Sequence, residues 1–257
     1  VPFITGVTAP IMRYHPAIVA QAFATMAAMY PGRVGLGVGT GEPPNEMAVY
    51  AGEWPSNNAR LEMLEEALIV MNRLWTSNAP VSHTGKYYPL NNALLLTRPE
   101  EKVPVYVSAI GPRAADLAGR LGDHLITLAN NPPYVREELL PALEAGARAA
   151  GKDPKPMERV GHFAYVYDPE QVVTPEHLQQ DAGTIQGGAI AKAFSSEFIS
   201  IFHTPEDFIR KIEAMERMGY THLAIADQRM GIVKGTLPSL DEAAGLKIWK
   251  EVLPHVR

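Results

Sequence analysis

Short apolar runs alternate along this chain with longer segments whose apolar residues recur at helical spacing, and no linker interrupts the rhythm. A parallel strand buried on both faces reads as a near-continuous apolar run, whereas the helix that carries the chain back reads with a period near 3.6. The alternation predicts βα units around a parallel sheet. Strands are predicted at about Phe3 to Val7, Arg33 to Gly39, Val103 to Ala109, His124 to Leu128, His162 to Tyr167 and His222 to Ala226. Pro16 to Tyr30 is predicted as a helix with Ile18, Val19, Ala22, Phe23 and Met26 on one face and a Pro31-Gly32 stop. Ala59 to Trp75 repeats the pattern with Leu61, Leu64, Leu68 and Met71. Thr204-Pro205-Glu206-Asp207 supplies a cap hydroxyl, a first-turn proline and first-turn acids, and Gly219 ends that helix after Met218. Two stretches depart from the rhythm. Residues 77–101, with Tyr87, Tyr88 and Leu94 to Leu96, read as a long connection carrying a small hairpin, and 168–203, with Gly183, Gly187 and Gly188, as an excursion able to cover a site.

Composition narrows the class. The chain has 257 residues, 46% of them hydrophobic and 20% charged, with 21 Gly and 22 Pro. That mixture excludes disorder and collagen, and the length suits one large domain, such as a (β/α)8 barrel of roughly 250 residues, or two small ones. A net charge of −5 without a long basic run argues against a nucleic-acid partner. With no Cys there is no disulfide frame and no thiolate nucleophile, and the eight His fall in no metal-ligand spacing, so no metal is expected. The longest apolar stretch, Ala17 to Tyr30, is broken by Gln21 and Thr25 and falls short of the ~20 residues of a membrane span. No membrane partner is expected.

Three segments carry candidate chemistry. In Arg33 to Asn45, Gly35, Gly37 and Gly39 lie on one face of a strand, and something large is expected to approach it. A G-x-G-x-x-G dinucleotide loop fails in every register, because Thr40, Glu42 or Pro44 stands at the third glycine. Glu42 lies at the C-terminal end of the strand, where barrels build active sites, with Asn45 beyond it; the alternative is a turn in which Gly41 supplies positive φ. Tyr106 to Ala115 is a strand followed by a helix starting at Pro112, whose free N–H groups and Arg113 suit an anion unless this is an ordinary βα turn. Gly6 to Pro10, followed by Arg13 to Pro16, offers a stiff backbone for a planar ligand or a structural turn. Trp54 reads as pocket lining or packing anchor, and Asp227-Gln228-Arg229 as active-end polar groups or solvated surface. His124, His162 and His222 are expected to start strands on the face away from chemistry.

These segments together resemble a known family. Ala9 to Gln21, Met29 to Val34, Gly39-Thr40-Gly41-Glu42 with Asn45, Gly52 to Pro55 and Gly122-Asp123-His124 are similar to the deazaflavin-dependent branch of the luciferase-like family. Its coenzyme F420-dependent secondary alcohol dehydrogenases are nearest, then its F420-dependent glucose-6-phosphate dehydrogenases. The resemblance implies an α/β fold, a TIM-like (β/α)8 barrel of bacterial luciferase type, forming one partial barrel domain over 1–257 with excursions at 77–101 and 168–203. It implies a hydride-transferring enzyme that binds F420, acts on a small-molecule alcohol, forms a homodimer and works in the cytoplasm. An FMN-dependent monooxygenase and a non-catalytic cofactor-binding member are the alternatives.

Residue by residue, the resemblance puts the catalytic acid beside the ring's pyrimidine edge at Glu42. It puts the support under the middle of the ring, a bulge often containing a non-proline cis peptide, at Gly6 and Val7. The cofactor contacts fall on Ala9, Asn45, Ile110, Gly111, Arg113 and Ala114, and the substrate side on Trp54, Leu128 and Asn131. Where the sugar-phosphate enzymes carry a phosphate-binding Lys, this sequence has Asn131. The family's catalytic His and accompanying Trp, at the end of the first barrel strand, match no segment. The first predicted strand corresponds to the family's third, so the first two βα units are expected to be absent from this chain, which opens on Val1 without Met.

Overall fold

The computed structural model describes residues 2–50, 52–128, 132–173, 199–227 and 248–255. It divides into two compact units, Val1–Ile126 with Glu138–Glu158 and Thr127–Glu137 with Arg159–Arg257.

The first unit realises the predicted alternation. Its strands β1 (Phe3–Ile4), β2 (Val34–Val38), β5 (Val105–Ser108) and β6 (His124–Leu128) lie side by side and parallel. The register pairs Ile4 with Gly35, Gly37 with Tyr106, and Val107 with Leu125. Helix α1 (Pro16–Met29) starts from His15, whose Nδ1 accepts the Ala17 N–H at 3.2 Å. Its buried stripe is Val19, Ala20, Phe23 and Ala24, while Ile18 and Met26 are exposed. Val19 and Phe23 of the predicted face are thus buried, Ala22 is exposed with Ile18 and Met26, and Ala20 and Ala24 complete the buried stripe; α1 packs on α3 (Asn57–Thr76). A hydrogen bond from Trp75 Nε1 to the Ala20 carbonyl at 2.9 Å ties the two helices. Between them, α2 (Pro43–Glu46) is a single turn.

The stretch after α3 holds the expected hairpin, β3 (Val81–His83) antiparallel to β4 (Leu90–Ala93). The Glu66 carboxylate of α3 accepts the N–H groups of Lys86, Tyr87 and Tyr88 at 2.7–3.1 Å and so holds the hairpin. Tyr88 then donates its hydroxyl to the Ile11 carbonyl at 2.7 Å and meets the His15 ring edge-on. Helix α4 (Pro112–Leu121) follows β5. A short turn α5 (Pro132–Tyr134) and a π turn over Val135–Leu139 lead into α6 (Leu140–Ala149), which packs on α4.

In the second unit, β7 (Arg159–Tyr167) lies between two parallel neighbours, β8 (Ile199–Phe202) and β9 (His222–Asp227). β8 was not predicted; it falls within the 168–203 stretch, of which 174–198 lies outside the described residues. Helix α7 (Pro205–Arg217) starts at the foreseen Thr204 cap, and Asp207 completes a capping box that was not foreseen. Phe163, Tyr165, Phe202, Phe208 and Trp249 form an aromatic core, with ring centroids 4.6–6.4 Å apart in contacting pairs. His124 and His222 begin their strands as expected. His162 does not, because β7 starts three residues earlier at Arg159.

Candidate active site

Because β1, β2 and β5 are parallel neighbours, the segments that follow them emerge at one edge of the first unit. Those segments contain Gly6–Val7, Glu42 and Ile110–Ala114.

The segment after β1 folds back against β2. The Thr5 hydroxyl accepts the Gly37 N–H and donates to the Gly37 carbonyl, both at 3.0 Å. The Thr8 N–H also reaches the Gly37 carbonyl at 2.8 Å, and the Gly39 N–H reaches the Thr8 carbonyl at 3.0 Å. A Cβ on Gly37 would stand 1.8 Å from the Thr5 carbonyl oxygen, and one on Gly39 would stand 2.9 Å from Val7 Cγ2. The glycine face is thus filled by the chain's own residues 4–7. The expectation that an outside ligand lies across it is corrected: glycine is required here for backbone-to-backbone approach. The Gly6–Val7 peptide is cis. Val7 is exposed and Ala9 half-buried.

Beyond β2 the chain turns through Gly41, whose φ of +73° suits glycine. Glu42 caps α2 without donating or accepting a side-chain cap bond of its own; instead Glu46, four residues on, reaches back. Glu46 Oε2 accepts the Glu42 N–H at 2.6 Å, and Glu46 Oε1 lies 3.5 Å from Arg13 Nη1. Asn45 Nδ2 donates to Glu42 Oε2 at 3.4 Å. Glu46 is only 4% exposed, whereas more of Glu42 is open to solvent. Partial burial of its carboxyl and then the nearby Glu46 raise the Glu42 pKa above the ordinary carboxylate value. The sequence reading missed Glu46 and Thr5, and named Arg13 only within a stiff segment, not as the partner of an acid. An acid one helical turn after Glu42 was the available signal for the first.

After β5, Gly111 leads into α4 with Pro112 at its first position and no side-chain cap. The first-turn N–H groups of such a helix have no acceptor within it, and its dipole favours an anion. Ile110 is 69% exposed at this end. Arg113 directs Nη1 to Asn58 Oδ1 in the first turn of α3. It also lines a cavity of about 310 Å³ with Glu62, Glu65, Asp116 and Arg120. Trp54 lies under the Arg60 guanidinium, 4.6 Å from ring centroid to Cζ, and Arg60 in turn donates to the Pro55 carbonyl and to Asn57. Burial lowers the Arg60 pKa. Leu128 ends β6, and its carbonyl accepts the Tyr220 hydroxyl at 3.3 Å in the second unit. Asn131, Gln228 and Arg229 lie outside the described residues. Among the described residues no group of acids and His could hold a metal ion, and no helix is long and apolar enough to cross a membrane.

The arrangement can be set beside known proteins. The model of the luciferase-like monooxygenase family matches residues 1–197. The chain belongs to that family. Its fold class is the family's TIM-like barrel. An F420-dependent glucose-6-phosphate dehydrogenase of Microbacterium testaceum (strain StLB037) is 33% identical over 98% of this chain and 77% of its own. Among solved structures, an F420-dependent secondary alcohol dehydrogenase in complex with an F420-acetone adduct superposes with a TM-score of 0.86 at 39% identity. That match covers 100% of this chain and 80% of the other. The coenzyme F420 dependent tetrahydromethanopterin reductase from Methanopyrus kandleri, at a TM-score of 0.73 and 21% identity over 100% of this chain and 84% of its own, shares the fold.

Proposed function

We propose that this family member is an F420-dependent oxidoreductase that moves a hydride between a small secondary alcohol and the deazaflavin. The observation that carries the reading is the Glu42 carboxyl, of raised pKa, in the segment that follows β2, the parallel neighbour of the strands that lead to Gly6–Val7 and to the start of α4.

That donor set fits the cofactor. Exposed Val7 and Ile110 offer apolar contact for a ring, Glu42 a carboxyl of raised pKa for its polar edge, and the start of α4 a place for a phosphate. Gly6, Val7 and Ala9 would support the ring, Asn45 would hydrogen-bond it, and Ile110, Gly111, Arg113 and Ala114 would hold the phosphate region. When bound, F420 supplies a hydride acceptor at C5, so an alcohol loses its carbinol hydride and its hydroxyl proton and becomes a carbonyl. Glu42, its pKa raised by burial and by Glu46, would donate a hydrogen bond or a proton to the ring's polar edge, where reduction builds negative charge. The hydroxyl proton passes to a base, which the resemblance assigns to a strand with no match in this sequence. Trp54, Leu128 and Asn131 would face the substrate. Asn131 in place of a phosphate-binding Lys supports an uncharged alcohol over a sugar phosphate. A cytoplasmic homodimer completes the proposal, and light scattering on the purified protein tests the dimer.

Titration with F420 and with FMN, followed by turnover with a short secondary alcohol and with glucose 6-phosphate, tests the reading. F420 binding with alcohol-dependent bleaching supports it. Tight FMN binding without F420 binding overturns the cofactor, and turnover of the sugar phosphate alone overturns the substrate class. Glu42→Gln is expected to slow hydride transfer by about 10²-fold or more with F420 affinity nearly unchanged.

A further inference from the structure

We propose that Glu46, anchored by Arg13, is a positioning residue that pins the main chain of Glu42 at the end of β2 and sets a carboxylate beside the Glu42 side chain. This rests on the reading of Glu42 as the proton-bearing group and deepens it.

Contacts from three segments converge on the arrangement. From α2, the buried Glu46 carboxylate takes the Glu42 N–H at 2.6 Å, so the main chain of Glu42 is pinned by the same group that lies beside its side chain. From the segment after β1, Arg13 closes on the other Glu46 oxygen at 3.5 Å. From the turn, Gly41 leaves the space the carboxylate occupies: a Cβ there would lie 3.2 Å from Glu46 Cδ and Oε2. Asn45 adds a donor to Glu42 Oε2.

The charges divide the two acids into different roles. Two neighbouring carboxyls cannot both ionise freely, and the one with a cation partner keeps its charge. Arg13 lies against Glu46 at 3.5 Å and away from Glu42, and after partial burial it is the neighbouring Glu46 that raises the Glu42 pKa. Among the described residues, Glu46 is the charged group against Glu42 and Arg13 the one against Glu46. Without Arg13 the two acids would compete for one proton, and the carboxyl next to the cofactor would no longer be the one that keeps it.

The test uses Glu46→Gln, which keeps an oxygen for the Glu42 N–H and removes the charge, and Arg13→Gln, which removes the anchor. In the cofactor-free protein, ¹³C-NMR titration of the glutamate carboxyls, with Glu42 assigned through Glu42→Gln, reads the effect without catalysis. The Glu42 titration is expected to move to lower pH in Glu46→Gln. With F420 and alcohol, the alkaline limb of the pH–kcat profile moves the same way. At neutral pH kcat falls about tenfold, because a smaller fraction of Glu42 carries its proton once the neighbouring charge is gone, while KM for the alcohol changes less than about twofold. Arg13→Gln is expected to broaden the Glu42 titration into two coupled steps. A Glu42 titration and kcat profile unmoved in both variants would overturn the proposal. The underlying reading fails separately: full turnover in Glu42→Gln removes Glu42 from the chemistry, whereas an inactive Glu42→Gln beside an unaffected Glu46→Gln removes only Glu46 and Arg13.

Discussion

Gly37→Ala is the perturbation that most directly separates a glycine face built for a ligand from one built for the chain itself. The added methyl would stand 1.8 Å from the Thr5 carbonyl oxygen, 3.0 Å from its carbon and 3.3 Å from Ile126 Cδ1. A backbone carbonyl cannot swing away as a side-chain tip can, so residues 4–6 must move by more than about 1 Å, given ordinary contact distances of roughly 3.5 Å. That movement breaks both Thr5 hydroxyl bonds to Gly37. Two hydrogen bonds at about 1 kcal/mol each, with an overpacking cost of about 1–3 kcal/mol, give an expected destabilisation of about 3–5 kcal/mol. Thr5→Val isolates one part of this. The Gly37 carbonyl keeps the Thr8 N–H at 2.8 Å, but the buried Gly37 N–H loses its acceptor, for about 1–3 kcal/mol. Gly35→Ala meets its tight contacts on side chains, Ile4 Cγ1 at 3.1 Å and Tyr106 Cε2 at 3.2 Å, with the Pro104 carbonyl at an ordinary 3.6 Å, and Gly39→Ala meets Val7 Cγ2 at 2.9 Å. Both should cost less than Gly37→Ala. Urea unfolding followed by circular dichroism orders the four variants, and F420 titration of the folded ones reads the site. If Gly37→Ala stays within about 1 kcal/mol of the parent while all three alanine variants lose cofactor affinity alike, the face is open to ligand and the reasoning is refuted.

Three further outcomes are expected. The Glu42 pKa is raised on folding, so its contribution to stability is fully present below the ordinary carboxylate range and declines as pH rises through the raised folded value; Glu42→Gln should flatten that part of a plot of unfolding free energy against pH. Glu66→Ala removes the acceptor of three hairpin N–H groups and should cost about 3 kcal/mol, with faster hydrogen exchange at Lys86, Tyr87 and Tyr88. Tyr88→Phe leaves the Ile11 carbonyl without that hydroxyl and should cost about 1 kcal/mol by urea unfolding, with a weaker F420 affinity if the tether through His15 supports the segment after β1.

What the sequence made legible was the part governed by local rules. The Thr204 cap, the first-turn prolines of α1, α4 and α7 and the apolar runs of β2, β5 and β6 all act over a few residues and stand where the pattern put them. β8 was missed although Ile199, Ile201 and Phe202 carry a strand signal, because only four residues form it and glycines precede it. The face of α1 was misjudged in part: side-chain size pointed to Ile18 and Met26, whereas Ala20 and Ala24 join Val19 and Phe23 in the buried stripe. The errors at the candidate site have a different origin. Gly35-x-Gly-x-Gly39 announced a close approach but could not say what approached, since that depends on a contact between residues 32 positions apart. Glu42 was recognisable by its place after a strand. Its neighbour Glu46, one helical turn away, was not picked out, although burial and an Arg13 partner give it the more constrained environment. A carboxyl that must hold a proton at neutral pH needs a reason to do so, and a fixed anion beside it is one. Once Glu42 is assigned that task, the residue supplying the anion belongs within reach of its own main chain, and Glu46 is the acid among the described residues that meets both conditions.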